Sequence, residues 1–139
     1  MILLDTNVIS ELMRPRPEPR VEEWLASQPG TDCFITAITD AELRYGIEIM
    51  PPGQRRQQFQ IALAGMLEQD FAGRILAFDS AAAVAYATIA ADRRRMGSPI
   101  SQMDAQIAAI AHCNGATLAT RNVADFQDCG ISIVDPWNV

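Results

Sequence analysis

The chain has no lysine: all eleven of its basic residues are arginine. A P-loop needs a lysine on the nucleotide phosphates, so that class of nucleotide chemistry is excluded. There is one histidine, His112, which leaves neither a His-based triad nor a zinc finger with its parts. The three cysteines, Cys33, Cys113 and Cys129, are odd in number and form no C-x-x-C pair. They are expected to be buried free thiols in a reducing cytosol. No apolar run approaches the roughly 20 residues that span a bilayer. The chain opens on an apolar stretch with no basic segment before it, unlike a secretory signal. A cytoplasmic protein is therefore expected. The net charge of −6 argues against broad nonspecific binding to nucleic acid through phosphate neutralisation. Clustered carboxylates, locally offset by divalent cations, would account for that balance.

What is present suits one globular domain. The 139 residues are 49% hydrophobic, and a chain of this length buries about 70% of its extended surface on folding. Ile2 to Leu4 reads as a first short strand, followed by a helix from Asn7 to Met13 that the prolines at 15 and 17 stop. A second helix covers Arg20 to Ser27, with Val21, Trp24 and Leu25 on one face. Cys33 to Thr36 is the second strand, and a third helix runs from about Asp40 to Ile49. Gln54 to Phe71 reads as a longer helix with Phe59, Ala62, Leu63, Met66 and Leu67 on its apolar stripe. Arg74 to Phe78 is the third strand. An alanine-rich helix then runs from Ser80 to about Met96, and another covers Gln102 to Asn114. Ala116 to Thr120 and Ile131 to Val134 complete the strands. Strands separated by helices predict a parallel sheet with right-handed crossovers and helices on both faces, an α/β domain over residues 1–139.

The acids carry the chemistry. Asp5 ends the first strand, at the carboxyl edge where open α/β sheets hold ligands; read alone, Asp5-Thr6-Asn7 is also good N-cap chemistry for the helix behind it. Thr39-Asp40-Ala41-Glu42 and Ser101-Gln102-Met103-Asp104 both fit the capping-box frame, a hydroxyl and then an acid three residues on. That frame puts each carboxylate in a helix's first turn, where the ionised form is favoured by about 0.3–1 kcal/mol. If the first strand is central with the second and fourth beside it, Asp5, Glu42 and Asp104 meet at one edge of the sheet. The loop Thr120 to Phe126 brings Asn122 and Asp125 to the same edge. Carboxylate and amide oxygens without Cys or His suit Mg²⁺ or Mn²⁺.

These stretches together resemble a known family. Leu3-Leu4-Asp5-Thr6-Asn7-Val8, an acid at position 42 in a helix, the run from Asp104 to Ala111, Thr120-Arg121-Asn122 with Asp125-Phe126, and Asp135-Pro136-Trp137 are similar in kind and order to the PIN-domain ribonuclease toxins of the VapC type, in the FitB-like branch. The resemblance covers essentially the whole chain. It implies a five-stranded parallel sheet of order 3-2-1-4-5 and a Mg²⁺/Mn²⁺-dependent endoribonuclease acting on tRNA or mRNA. It also implies a small DNA-binding antitoxin as partner, contact with DNA only through that antitoxin, and a homodimer or higher assembly. Several relatives have Asp where this chain has Asn122, so the fourth site residue is Asn122, Asp125 or neither.

On this reading Asp5 and Asp104 hold the principal cation, with Glu42 a further ligand or the group positioning water, and a metal-activated water hydrolyses the phosphodiester. Thr6, Asn7 and Thr120 would orient those carboxylates. Arg121 is the nearer candidate for RNA phosphate, and Arg44 faces either substrate or a dimer mate. Arg93, Arg94 and Arg95 read as cations complementing a helix C-terminus, with a phosphate track as the alternative. Trp24 reads as core or a dimer contact, and His112 as a cap. Two rivals stand beside this reading. A haloacid-dehalogenase-like phosphatase also begins with Leu-Leu-Asp, but it wants a second Asp where Asn7 stands and a later Lys. A PIN-like module that grips RNA or a partner without cutting is favoured if Asn122 replaces a needed ligand.

Overall fold

The computed structural model describes residues 1–139. Five parallel strands, β1 (Ile2–Leu4), β2 (Cys33–Thr36), β3 (Ile75–Leu76), β4 (Thr117–Ala119) and β5 (Ser132–Val134), form one sheet of order β3-β2-β1-β4-β5. The helices are α1 (Thr6–Leu12), α2 (Pro19–Ala26), α3 (Ala37–Glu48), α4 (Gln54–Gly65), α5 (Ser80–Arg95) and α6 (Gln102–Cys113). Ile2 pairs with Cys33 on one side and Thr117 on the other, so β1 is the centre of the sheet.

Alternation along the strands divides the core into two layers, because successive strand side chains point to opposite faces. Leu3 and Leu118 face one way, into a cluster with Ala82 and Ile89 of α5 and Ile107 and Ile110 of α6. Leu4, Ile35 and Ala119 face the other way, toward Val8 and Ile9 of α1, Val21 of α2, Leu43 and Ile47 of α3, and Leu63 of α4. Each fully buried Leu or Ile contributes roughly 1.5–3 kcal/mol against leaving it in water. The α6 segment Ile107–Ala111 is buried throughout, and its alanines let the helix lie close against the sheet. No helix is long and apolar enough to cross a membrane.

Several boundaries differ from the sequence expectation. α3 starts at Ala37, three residues early, because Thr36 at the end of β2 is its N-cap and accepts from the Thr39 amide at 3.0 Å. Thr39 and Glu42 therefore do not form a capping box, and Glu42 sits in the second turn of α3. The helix expected over Gln54 to Phe71 is α-helical only to Gly65 and closes in a π turn, Met66–Asp70. On its stripe Leu63 and Leu67 are buried and Ala62 is exposed. β3 keeps only Ile75–Leu76 of the expected strand. Cys33 and Cys129 are buried free thiols, but Cys113 is exposed. Trp24 is half-buried against the second cluster, and His112 Nδ1 lies 3.3 Å from the carbonyl of Gly130.

Candidate active site

In this strand order the chain moves outward from β1 to β3 on one side, then crosses to β4 and β5 on the other. The reversal leaves a crevice at the carboxyl ends of β1 and β4, where open α/β sheets bind ligands. Asp5 stands there. Its amide donates to Ala119 O at 2.9 Å and extends the β1–β4 ladder by one residue. Its side chain caps α1, Oδ1 accepting from the Thr6 amide at 2.8 Å. Oδ2 accepts from the Thr120 hydroxyl at 2.7 Å and from Asn7 Nδ2 at 3.1 Å. The helix cap and the crevice thus share one carboxylate.

The hydrogen bonds continue outward in two directions. Asn7 Nδ2 also reaches Thr120 Oγ1 at 3.2 Å, and Asn7 Oδ1 accepts from the Arg121 amide at 3.2 Å. Thr120 Oγ1 further accepts from the Asn122 amide at 3.0 Å. This braid fixes the start of the loop after β4. On the other side Thr6 Oγ1 donates to Glu42 Oε1 at 2.8 Å and lies 3.1 Å from Thr39 Oγ1. Glu42 is held toward Asp5 from a different helix by this tertiary bond. Asp104 enters from the first turn of α6, where its amide donates to Ser101 Oγ at 3.2 Å. Here the expected cap is observed.

Electrostatics records how close these acids are. Burial, opposed by the bonds from Thr120 and Thr6 and reinforced by Asp104 and Glu42, pushes the Asp5 carboxyl up to about 6. Burial likewise raises Asp104; the Ser101 hydroxyl opposes that, Asp125 adds to it and Arg93 counters it. Desolvation and like charge both disfavour ionisation. None of the ion pairs in the structure involves Asp5, Glu42 or Asp104. Three negative groups without a basic partner, offering only hard oxygens, fit a divalent cation such as Mg²⁺ or Mn²⁺. No three acids, cysteines or histidines are gathered into a ready cage, so the side chains would close in on an ion rather than receive it preformed.

The crevice has a volume of about 590 Å³, and Asp5, Glu42, Asp104 and Asn122 all line it. Asn122 lacks a capping bond to the 3-10 turn Val123–Phe126 behind it. Asp125, in that turn, is exposed and outside the crevice lining, although its charge reaches Asp104. Of the two candidates for the fourth position, Asn122 is therefore the one that lines the crevice.

Arg121 lines the crevice, with its guanidinium carbon 5.1 Å from the centre of the Trp137 ring. Arg44 does not: it pairs with Asp40 at 2.7 Å and lines a separate hollow with Glu48 and Gln60. The i, i+4 geometry of α3 points it away from Glu42. Arg93 is also unlike its neighbours, being buried, whereas Arg94 and Arg95 are exposed. Ser10, Glu11, Arg14 and Arg55, to which the sequence assigned no role, also line the crevice, as does Trp137 of the terminal Asp135-Pro136-Trp137 stretch. Glu11 is buried, accepts from the Glu18 amide at 3.0 Å and pairs with Arg14 at 3.3 Å. Asn7 and Glu11 of α1 and Arg14 just beyond it recur at helical spacing, a polar face opposite Val8, Ile9 and Leu12 that could have revealed two of these residues.

The family profile described as PIN domain matches residues 2–129. "Plasmid stability protein StbB" of Pseudomonas syringae pv. tomato is 43% identical over 137 residues, spanning 99% of this chain and 99% of that protein. "VapC ribonuclease Y4jK" of Sinorhizobium fredii is 42% identical over 137 residues, spanning 99% and 98%. The solved structure described as "Structure of FitAB bound to IR36 DNA fragment" aligns with a TM-score of 0.94 at 39% identity, covering 100% of this chain and 97% of that one.

Proposed function

The chain belongs to the PIN-domain family, and we propose that it is a Mg²⁺- or Mn²⁺-dependent endoribonuclease, the toxin of a type II toxin–antitoxin pair. One observation carries the reading: Asp5, Glu42 and Asp104, from three separate elements and without basic partners, converge on one crevice at the β1–β4 switch point. The 42% identity to a protein named as a VapC ribonuclease supports the nuclease assignment. A solved complex named for both FitA and FitB on DNA supports a DNA-binding antitoxin as the partner. The same reading includes a homodimer or higher assembly.

The residues divide the work by position. Asp5 and Asp104 would hold the cation, with Glu42 as a further ligand or as the group that orients water; Thr120, Asn7 and Thr6 fix the orientation of Asp5 and Glu42. A bound divalent ion supplies a more acidic water and neutralises charge on the phosphate. Arg121 sits at the rim of the crevice, where a guanidinium fork suits an RNA phosphate. Glu11 and Arg14 also line the crevice.

The test is cleavage of RNA by Asp5→Asn and Asp104→Asn. Each should lose magnesium-dependent cleavage while keeping its circular dichroism spectrum and elution volume. Cleavage at the wild-type rate by both variants would end the reading. A PIN-like module that binds without cutting has one observation in its favour, the neutral Asn122 in the crevice. Mn²⁺ titration separates the two: a non-catalytic module shows neither Mn²⁺-dependent stabilisation nor cleavage.

A further inference from the structure

Arg93 is in the last turn of α5, yet it is only 6% exposed. Its Nε donates to Ser98 O at 2.7 Å, and its Nη1 donates to Asp125 O at 2.8 Å and Gln127 O at 3.0 Å. The same nitrogen lies 3.6 Å from Cys129 Sγ. Buried arginines are normally paired with a carboxylate, but none of the ion pairs in the structure includes this one. Its partners are main-chain carbonyls from two segments far apart in the chain. Ser98 belongs to the connection that delivers Ser101 and Asp104; Asp125 and Gln127 belong to the turn that follows Asn122.

We propose that Arg93 is a positioning residue for the acidic site, clamping the connection that leads to Asp104 against the loop that carries Asn122 and Asp125. The planar fork of a guanidinium presents donors in fixed directions, so one side chain can hold carbonyls on two segments; an ammonium is a point charge without that fork. The clamp does not require Arg93 to touch substrate. The consequence for cleavage rests on the ribonuclease reading above, whereas the clamp itself does not.

The experiment compares Arg93→Lys and Arg93→Met with wild type in the full chain, well below each variant's melting midpoint. Without metal, amide hydrogen exchange should accelerate over residues 98–104 and 121–130 and stay unchanged over residues 2–12. Calorimetric Mn²⁺ affinity should fall about 10–100-fold, the usual effect of losing a group that orients ligands. Turnover of RNA should fall by a similar factor while KM stays within about twofold. Lysine should recover little, since it keeps the charge but not the fork. Unchanged exchange in both segments overturns the proposal. So does a variant that loosens both segments yet binds Mn²⁺ and cuts RNA like wild type, because a local staple alone would do that. Should the methionine variant not fold, the lysine variant decides on the same readings. Wild-type protein without Mn²⁺-dependent cleavage would count against the ribonuclease reading alone, and exchange and Mn²⁺ affinity would still decide the clamp.

Discussion

The hydroxyl of Thr120 donates to Oδ2 of Asp5 at 2.7 Å, joining the carboxyl ends of β1 and β4 across 115 residues of chain. Both groups are buried. The bond fixes the second oxygen of a helix cap, since one oxygen is held by Thr6 of its own helix and the other by Thr120 at the end of the neighbouring strand. The first prediction is that Thr120→Val lowers Mn²⁺ affinity by about 10–100-fold and lowers cleavage with it. Thr120→Ser keeps the hydroxyl and should stay close to wild type. The valine also strips a donor from a buried carboxylate, costing about 1–3 kcal/mol. Calorimetric titration of the three proteins checks the ordering, and equal affinities for valine and serine would refute it.

Asp5 also makes the metal-free fold sensitive to pH. Its carboxyl is raised from 3.8 to about 6, so the folded state binds this proton more tightly than the unfolded chain does. Its contribution to stability is full below pH 4 and is lost as pH rises through about 6; the loss at neutral pH is on the order of 3 kcal/mol. Asp104 is raised in the same direction. Urea midpoints of wild type and Asp5→Asn in chelator should therefore change their separation between pH 4 and pH 7.5, with wild type losing ground as pH rises. A separation independent of pH would contradict the assignment. Mn²⁺ at pH 7.5 should return stability to wild type and not to the variant.

The strand order and the caps set by neighbouring residues were legible in the sequence, and individual side-chain bonds between elements were not. Asp5 at the end of an apolar run and the Ser101–Asp104 frame are local, and both are observed as caps. The Thr39–Glu42 frame is equally local, but Thr36 competes for the same helix start; it is buried at the end of β2, and strand and helix meet there without a loop. Glu42 reaches the site anyway, through a hydrogen bond from Thr6 in another helix that no spacing rule encodes. Three consecutive arginines look like a solvated helix end, and only the packing of the 123–130 segment distinguishes Arg93 from Arg94 and Arg95. Trp137 arrives at the crevice from the far end of the chain, tied by Arg20 Nη1 donating to its carbonyl at 3.3 Å.

Arg121 and Arg44 should separate cleanly as phosphate contacts. Arg121 lines the crevice, and Arg44 lies outside it in an ion pair with Asp40. Arg121→Ala should raise KM for RNA several-fold and reduce the slope of log KM against log salt by about 0.7, one single-strand phosphate contact. Arg44→Ala should leave both unchanged. Kinetics at three salt concentrations makes the comparison, and equal effects from the two substitutions would mean that substrate extends over α3.

The ring of Trp137 holds the Arg121 guanidinium 5.1 Å from its centre, so the two should act on RNA as a unit. A cation over an indole face at a surface site is worth about 0.5–1 kcal/mol, and fixing the arginine beforehand reduces the freedom lost when a phosphate binds. Trp137→Ala should raise KM with little change in turnover, because Trp137 makes no hydrogen bond to Asp5, Glu42 or Asp104 through its side chain. Trp137→Phe retains an aromatic face and should fall between alanine and wild type. The decisive quantity is the coupling in a double-mutant cycle with Arg121→Ala. If the ring works by placing the arginine, the Trp137 substitution should cost little once Arg121 is gone. Strictly additive effects on KM would instead mean that ring and guanidinium meet the RNA independently. The Trp137 variants must be read well below their melting midpoints, since the ring also packs against the cluster around Leu4 and Val8, and its removal lowers stability as well as affinity.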